Sequence, residues 1–182
     1  MKFKENTFNK KSIALIGFMG VGKTTIGRLV AQRLQRDFID IDKEIERKYE
    51  MTPSEIFKIH GEHTFRKTER KMVSHFAKQE LKVISLGGGA FLQDEIKHIS
   101  LKENIVIFLD ISWESWKERS SILIDRRPVL HGKNTTEMKE LYYKRKELYA
   151  HHHLKVTTDD LSIEEVTDLV IDSLNNFLEI KE

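Results

Sequence analysis

Five short stretches of the chain, 12–16, 38–42, 82–86, 105–109 and 155–158, are rich in apolar or β-branched residues. The segments between several of them repeat apolar positions every three or four residues. The stretches at 12–16 and 105–109 do not alternate apolar with polar, which marks strands covered on both faces. Phe38-Ile39-Asp40-Ile41-Asp42 reads as a strand running into polar residues at its carboxyl end. A helix opens at Lys23, with Ile26, Leu29, Val30 and Leu34 at helical spacing. Further helices are expected over about 42–49, 53–60, 62–79, 113–120 and 135–151, and from Ser162 to about Leu178. Two carry start signals: Thr52-Pro53-Ser54-Glu55 and Ser162-Ile163-Glu164-Glu165 both fit a capping box, and Pro53 suits a first helical position. Strands that alternate with helices predict an α/β fold, a three-layer α/β/α sandwich on a five-stranded parallel sheet with right-handed crossovers.

Length and charge narrow the setting. A chain of 182 residues suits a single domain over 1–182. A domain of this size buries roughly 70% of the surface its unfolded chain exposes, so it needs no staple to fold. The chain has no cysteine, hence no disulfide framework and no cysteine zinc site, which fits a reducing compartment. Charged residues form 33% of the chain but nearly cancel, to a formal +2. That balance gives no electrostatic case for nucleic acid or a membrane surface. The basic segment 1–11 precedes only a short apolar run, too short for a signal peptide, and no stretch approaches a membrane span. The expected location is the cytoplasm.

The turn after the first strand carries the chemistry. Gly17-Phe-Met-Gly-Val-Gly22-Lys23-Thr24 fits G-x-x-x-x-G-K-[ST] between a buried strand and a helix, the context that makes this pattern a phosphate-binding loop. Such a loop curls its N–H groups inward, and the helix dipole adds positive potential. The residues expected to hold ATP here are Gly20, Val21, Gly22, Lys23, Thr24 and Thr25. Lys23 supplies a point charge for the β- and γ-phosphates, and the Thr24 hydroxyl is a Mg²⁺ ligand. The pattern predicts nucleotide binding without specifying the reaction.

Three later features bear on the reaction, each with a plainer alternative. Asp40 and Asp42 stand two apart at the end of the second strand, where open α/β sheets bind ligands. They suit a metal and a hydroxyl, or Asp42 is simply a helix cap. Gly87-Gly88-Gly89 ends the third strand and permits a ligand close to the backbone, or is only a permissive loop. Arg126, Arg127 and Pro128 occupy the longest irregular stretch, either a lid over phosphates or a solvated basic loop.

Taken in order, GFMGVGKTTIGRLVA, FIDIDKEIE, GEHTFRKTE, VISLGGGAF, RRPVL and KRKELY make the chain resemble the shikimate kinases over nearly its whole length. The resemblance implies a P-loop fold of the nucleoside monophosphate kinase type, with core 12–182, a lid at about 122–134 and an acceptor region at about 42–72. It implies ATP and shikimate as substrates, Mg²⁺ as cofactor and a monomer. By position it makes Asp40 the carboxylate that holds Mg²⁺ with Thr24. Asp42 would be the contact to the shikimate hydroxyls and the base for the 3-hydroxyl. Arg66 and Arg145 would hold the shikimate carboxylate, and Gly87, Gly88 and Gly89 would offer it N–H groups. Lys23, Asp42 and Arg127 form the implied catalytic set, with Arg127 reaching the transferred phosphate, ATP and substrate, and Arg119 stacking on adenine. Paired guanidinium groups suit a carboxylate through parallel N–H bonds. The segment Thr157-Thr158-Asp159-Asp160 lacks the basic or proline residues that some members place near adenine. His151-His152-His153 reads as a helix end rather than a metal site, because consecutive helical residues point apart. Competing functions are a kinase for gluconate or a nucleoside monophosphate, and a nucleotide-binding regulatory module with no acceptor.

Overall fold

A computed structural model describes residues 10–120 and 132–181. Its sheet has five parallel strands: β1 Ile13–Ile16, β2 Asp37–Asp40, β3 Lys82–Ser85, β4 Ile105–Asp110 and β5 Leu154–Thr157. They lie in the order β2-β3-β1-β4-β5. Register places Ile13 beside Val83 on one side and Ile105 on the other. All residues of β1 and β4 are buried, whereas the edge strands β2 and β5 are partly exposed. Each fully buried Ile or Leu of the central strands contributes about 1.5–3 kcal/mol of hydrophobic stabilisation. The middle of the sheet is therefore the rigid frame, and the ligand loops grow from its carboxyl edge.

The helices flanking the sheet are α1 Lys23–Arg33, α2 Ile41–Tyr49, α3 Pro53–Phe76, α4 Asp94–Glu103, α5 Trp113–Ser120, α6 Thr135–Leu148 and α7 Ile163–Lys181. A 3₁₀ turn, Ala90–Leu92, follows the triple glycine. Helices α1 and α7 pack on each other, and α3 packs on α4, which lies against β4. No described helix is long and apolar enough to cross a membrane.

The expected sandwich is present, with differences at element ends that have local causes. Residues 53–76 form two helices meeting at Gly61, whose φ of 80° breaks the path, as the separate expectations over 53–60 and 62–79 require. Thr52 and Glu55 form the expected capping box, and Ser162 and Glu165 bond reciprocally at the last helix. The second strand stops at Asp40 and Ile41 is already helical, so the strand expected through Asp42 is too long. Asp40, not Asp42, is the cap: its Oδ1 accepts from the Lys43 N–H at 3.3 Å. Helix α4 was not expected from the sequence. Its cap position is Gln93, which makes no capping bond, so the usual start signal is missing. The helix expected to reach His151 ends at Leu148, and the His153 Nδ1 accepts from the Val106 N–H at 2.9 Å.

Candidate active site

The phosphate loop joins β1 to α1. At Gly17 φ is +148°, and a Cβ there would lie 2.5 Å from the Leu109 carbonyl oxygen, so only glycine lets the loop leave β1 this close to β4. Helix α1 has Gly22 as its cap in a left-handed conformation with no side-chain cap bond. Its first N–H groups are thus left for an anion. The Val21 side chain is buried, and its N–H turns to the Phe18 carbonyl at 3.3 Å. Gly20, Gly22, Lys23, Thr24 and Thr25 line a cavity of about 730 Å³. The Lys23 Nζ donates to the carbonyls of Gly17 and Phe18 at 2.7 and 3.1 Å, so the loop itself holds the ammonium in place.

Beyond α1 the same cavity meets Asp40 and Asp42. Asp40 closes β2 and Asp42 sits in the first turn of α2, yet both reach the cavity. The Thr24 hydroxyl donates to the Asp40 Oδ2 at 2.6 Å. Two hard oxygen donors held together beside a phosphate loop are the donor chemistry Mg²⁺ takes, since it binds one or two protein oxygens and otherwise phosphates and water.

The triple glycine separates this cavity from a narrower one of about 60 Å³ bearing Phe57, Phe65, Arg66, Glu69 and Arg145. Met19, Asp42, Pro53, Gly87 and Gly88 line both. Each glycine's missing side chain leaves room for a different group. A Cβ on Gly87 would lie 2.8 Å from the Asp42 Oδ1, and one on Gly88 3.2 Å from the Met19 nitrogen. One on Gly89 would lie 2.7 Å from the Arg66 Nη2 and 2.8 Å from the Arg145 Nη1. The structure thus gathers Asp42, Arg66, Arg145 and the glycines around one space, from four separate elements.

The two arginines are in different electrostatic states. Arg66 donates to the Glu69 Oε2 at 2.8 Å and to the Glu62 Oε1 at 3.3 Å. Burial pulls its pKa down, but the attraction of Glu69 and Glu62 outweighs this and leaves it raised. Arg145 is buried, and among the described residues its one hydrogen bond is a long contact of 3.4 Å to the Gly88 carbonyl. Burial lowers its pKa, with Tyr149 opposing and Arg66 reinforcing the shift. A buried cation that makes no ion pair among the described residues, with Glu62 and Glu69 acting on it only from a distance, is costly, and an incoming carboxylate relieves the cost.

Glu69 is a functional-site residue that the sequence reading missed. It is fully buried, and its Oε1 has no hydrogen-bond partner among the described residues. Burial pushes its pKa up to about 7 against the pull of Arg66, with Asp42 adding to the rise. The guanidinium of the Arg66–Glu69 pair stays charged, and the carboxyl is the member that titrates near neutrality. Gln93 donates to the Glu69 Oε2 at 2.7 Å, which explains why it does not cap α4. The signal was present: Phe65, Glu69 and Val73 stand four apart on the buried face of one helix. Trp116 was missed too. Its indole N–H donates to the Met19 carbonyl at 2.8 Å, and its ring meets Phe18 edge-on at 5.1 Å between centroids.

Of the remaining expected residues, Arg119 falls in the last turn of α5, and its side chain lies outside the described residues. Arg126, Arg127 and most of the expected lid also lie outside them. The Asp159 carboxylate accepts from the N–H and hydroxyl of Ser112, tying the segment after β5 to the start of α5. Among the described residues no group of three or more His, Cys, Asp or Glu could hold a metal by itself.

Comparison with known proteins matches residues 19–175 to the family model described as shikimate kinase. A shikimate kinase of Oceanobacillus iheyensis is 54% identical over 91% of this chain and 90% of its own length. The solved structure of the Acinetobacter baumannii shikimate kinase in complex with shikimate superposes with a TM-score of 0.85, at 30% identity over 91% of this chain and 93% of that one. A gluconokinase from Sinorhizobium meliloti reaches a TM-score of 0.54 at 17% identity over 93% of this chain and 94% of its own, a likeness of fold alone.

Proposed function

The chain belongs to the shikimate kinase family, and from that premise we propose which of its residues carry out the phosphorylation of shikimate by ATP. The enzyme transfers the γ-phosphoryl group of ATP to the 3-hydroxyl of shikimate, a step toward chorismate and the aromatic amino acids. One observation carries the assignment of residues: the phosphate loop and the two-arginine pocket open on each other across Met19, Asp42, Gly87 and Gly88.

Gly20, Gly22, Thr24 and Thr25 cradle the phosphates at the start of α1, and the buried Val21 holds the loop's bend through its bond to Phe18. Lys23 carries positive charge at the loop's centre. Thr24 and Asp40 hold Mg²⁺, which offsets phosphate charge when bound. On the other side Arg66 and Arg145 grip the shikimate carboxylate from either side of Gly89. The N–H groups of the triple glycine receive its remaining oxygens. Asp42 accepts the proton of the attacking hydroxyl as its oxygen bonds to the γ-phosphorus and the bond to the β-bridging oxygen breaks. ADP leaves with the electron pair. Arg127 adds charge to the transferred group, and Arg119 stacks on adenine. Little covalent work falls to the protein in such a transfer: it positions the reactants in line and stabilises charge. The gluconate alternative loses ground because the gluconokinase likeness is one of fold alone. The regulatory module loses ground because the acceptor pocket is formed. A single domain spanning 1–182, working as a cytoplasmic monomer, completes the reading; the one continuous five-stranded sheet supports the single domain.

The test is ADP release with Mg²⁺ and a panel of acceptors: shikimate, quinate, gluconate and nucleoside monophosphates. Shikimate is expected to accelerate release above all others. Release no faster with shikimate than without an acceptor would overturn the reading.

A further inference from the structure

Met138, Tyr142, Arg145 and Tyr149 are buried along one face of α6 and its end, at steps of four, three and four residues. Tyr149 follows the last residue of the helix, one turn beyond Arg145. Its hydroxyl donates to the Gly88 carbonyl oxygen at 2.5 Å, and its ring lies against Phe108 at 5.3 Å between centroids. The Arg145 Nη1 reaches the same oxygen at 3.4 Å. Burial pushes the phenol's pKa up, so it remains a proton donor throughout the working pH range. Three consecutive glycines have little stiffness of their own. Their internal tethers are the bonds from the Ala90 N–H to the Gly87 carbonyl and from the Leu92 N–H to the Gly89 carbonyl, which leave the Gly88 carbonyl to be fixed from outside the loop.

A trans peptide is planar, with its C=O and N–H pointing in opposite directions. An oxygen of Gly88 fixed toward α6 therefore fixes the Gly89 N–H in the opposite sense. We propose that Tyr149 is a positioning residue for acceptor binding: its hydroxyl sets the plane of the Gly88–Gly89 peptide, and with it the direction of the Gly89 N–H and the seat of the Arg145 guanidinium. This rests on the reading that the pocket takes shikimate. Tyr149 touches no reacting atom and acts through the peptide and the arginine.

The experiment compares steady-state kinetics and melting of the wild type, Tyr149→Phe and Tyr142→Phe. Tyr149→Phe keeps the ring on Phe108 and removes the bond to Gly88. The KM for shikimate is expected to rise about five- to tenfold, the worth of one lost hydrogen bond with a buried acceptor left behind. The KM for ATP should hold within about twofold, as expected when the lost interaction concerns only the acceptor. The Tm should shift by less than about 4 °C. Tyr142 anchors the same helix elsewhere, donating to the Ile111 carbonyl at 2.5 Å, so Tyr142→Phe should leave the shikimate KM in place. An unchanged shikimate KM in Tyr149→Phe, or an equal rise for both substrates, overturns the inference. So does an equal rise in Tyr142→Phe, which would reduce Tyr149 to a general helix anchor. If the wild type itself shows no shikimate-dependent ADP release, the functional reading fails first and this inference with it. Normal wild-type turnover with an inert Tyr149→Phe change removes only the inference.

Discussion

In the phosphate loop the key side chains already have partners within the protein, and only the first backbone N–H groups of α1 await an anion. Lys23 is held by the carbonyls of Gly17 and Phe18, and Thr24 by Asp40. Across the cleft Arg145 has one long contact, and the Glu69 Oε1 has none among the described residues. The first region is made largely of backbone, and its side chains are held in place before its ligand arrives. The second is made of side chains whose polarity awaits a partner. A nucleotide's phosphates need a generic cradle, whereas one acceptor must be picked from many. A site with buried polar groups left waiting rejects analogues that cannot pair with them far more strongly than an apolar pocket rejects a change of size.

The largest test of this contrast lies where the regions meet. Asp42→Asn should lower kcat about 10²–10⁴-fold, the worth of a positioned base, while ATP binding and the fold persist. Near-normal turnover would move the proton acceptor elsewhere. Next is Arg66→Ala, which removes a charged contact and strands Glu69. A loss of about 3 kcal/mol, near 10²-fold in kcat/KM for shikimate, is expected, with nucleotide binding by calorimetry unaltered. Equal loss on both sides would erase the contrast. Gly89→Ala should be milder, because the new methyl meets only the mobile ends of Arg66 and Arg145 at 2.7 and 2.8 Å. The protein should fold and show a shikimate KM raised about tenfold. Gly17→Ala should instead damage nucleotide binding, since its methyl would meet the Leu109 backbone oxygen at 2.5 Å.

The smallest effect concerns pH. The Glu69 carboxyl has its pKa raised from 4.5 to about 7 because burial favours the neutral form. Protonated Glu69 is thus favoured by folding, and its contribution to stability is full below 4.5 and lost as pH rises through about 7. Denaturant midpoints should fall over that window in the wild type more than in Glu69→Gln. Parallel midpoints in the two proteins would show that the carboxyl titrates as it does in the unfolded chain.

The same division governs what the sequence disclosed. The phosphate loop is contiguous, so its spacing identified it, and the central strands announced themselves as apolar runs. The Thr52 cap marked where α3 begins, and its two halves were expected as separate helices. The acceptor pocket draws on α2, α3, the triple glycine and α6, and sequence spacing alone does not bring such distant residues together. Only the family resemblance assembled Arg66 with Arg145. Glu69 and Tyr149 escaped because one looked like a surface acid and the other like a core aromatic. A charged residue interrupting an apolar helical stripe was the available signal, in Phe65-Glu69-Val73 and again in Tyr142-Arg145-Tyr149. Helix α4 escaped because its cap position holds Gln93, which is not among the usual cap residues and makes no capping bond.

The chain has two tryptophans, Trp113 and Trp116, and they stack at 5.3 Å, with the indole of Trp116 tied to Met19 of the phosphate loop. Intrinsic tryptophan fluorescence from this enzyme therefore originates in the core against the phosphate loop. Emission should respond to any ligand that shifts Met19, which lines both cavities, so the nucleotide and the acceptor can each be followed by titrating one at a time.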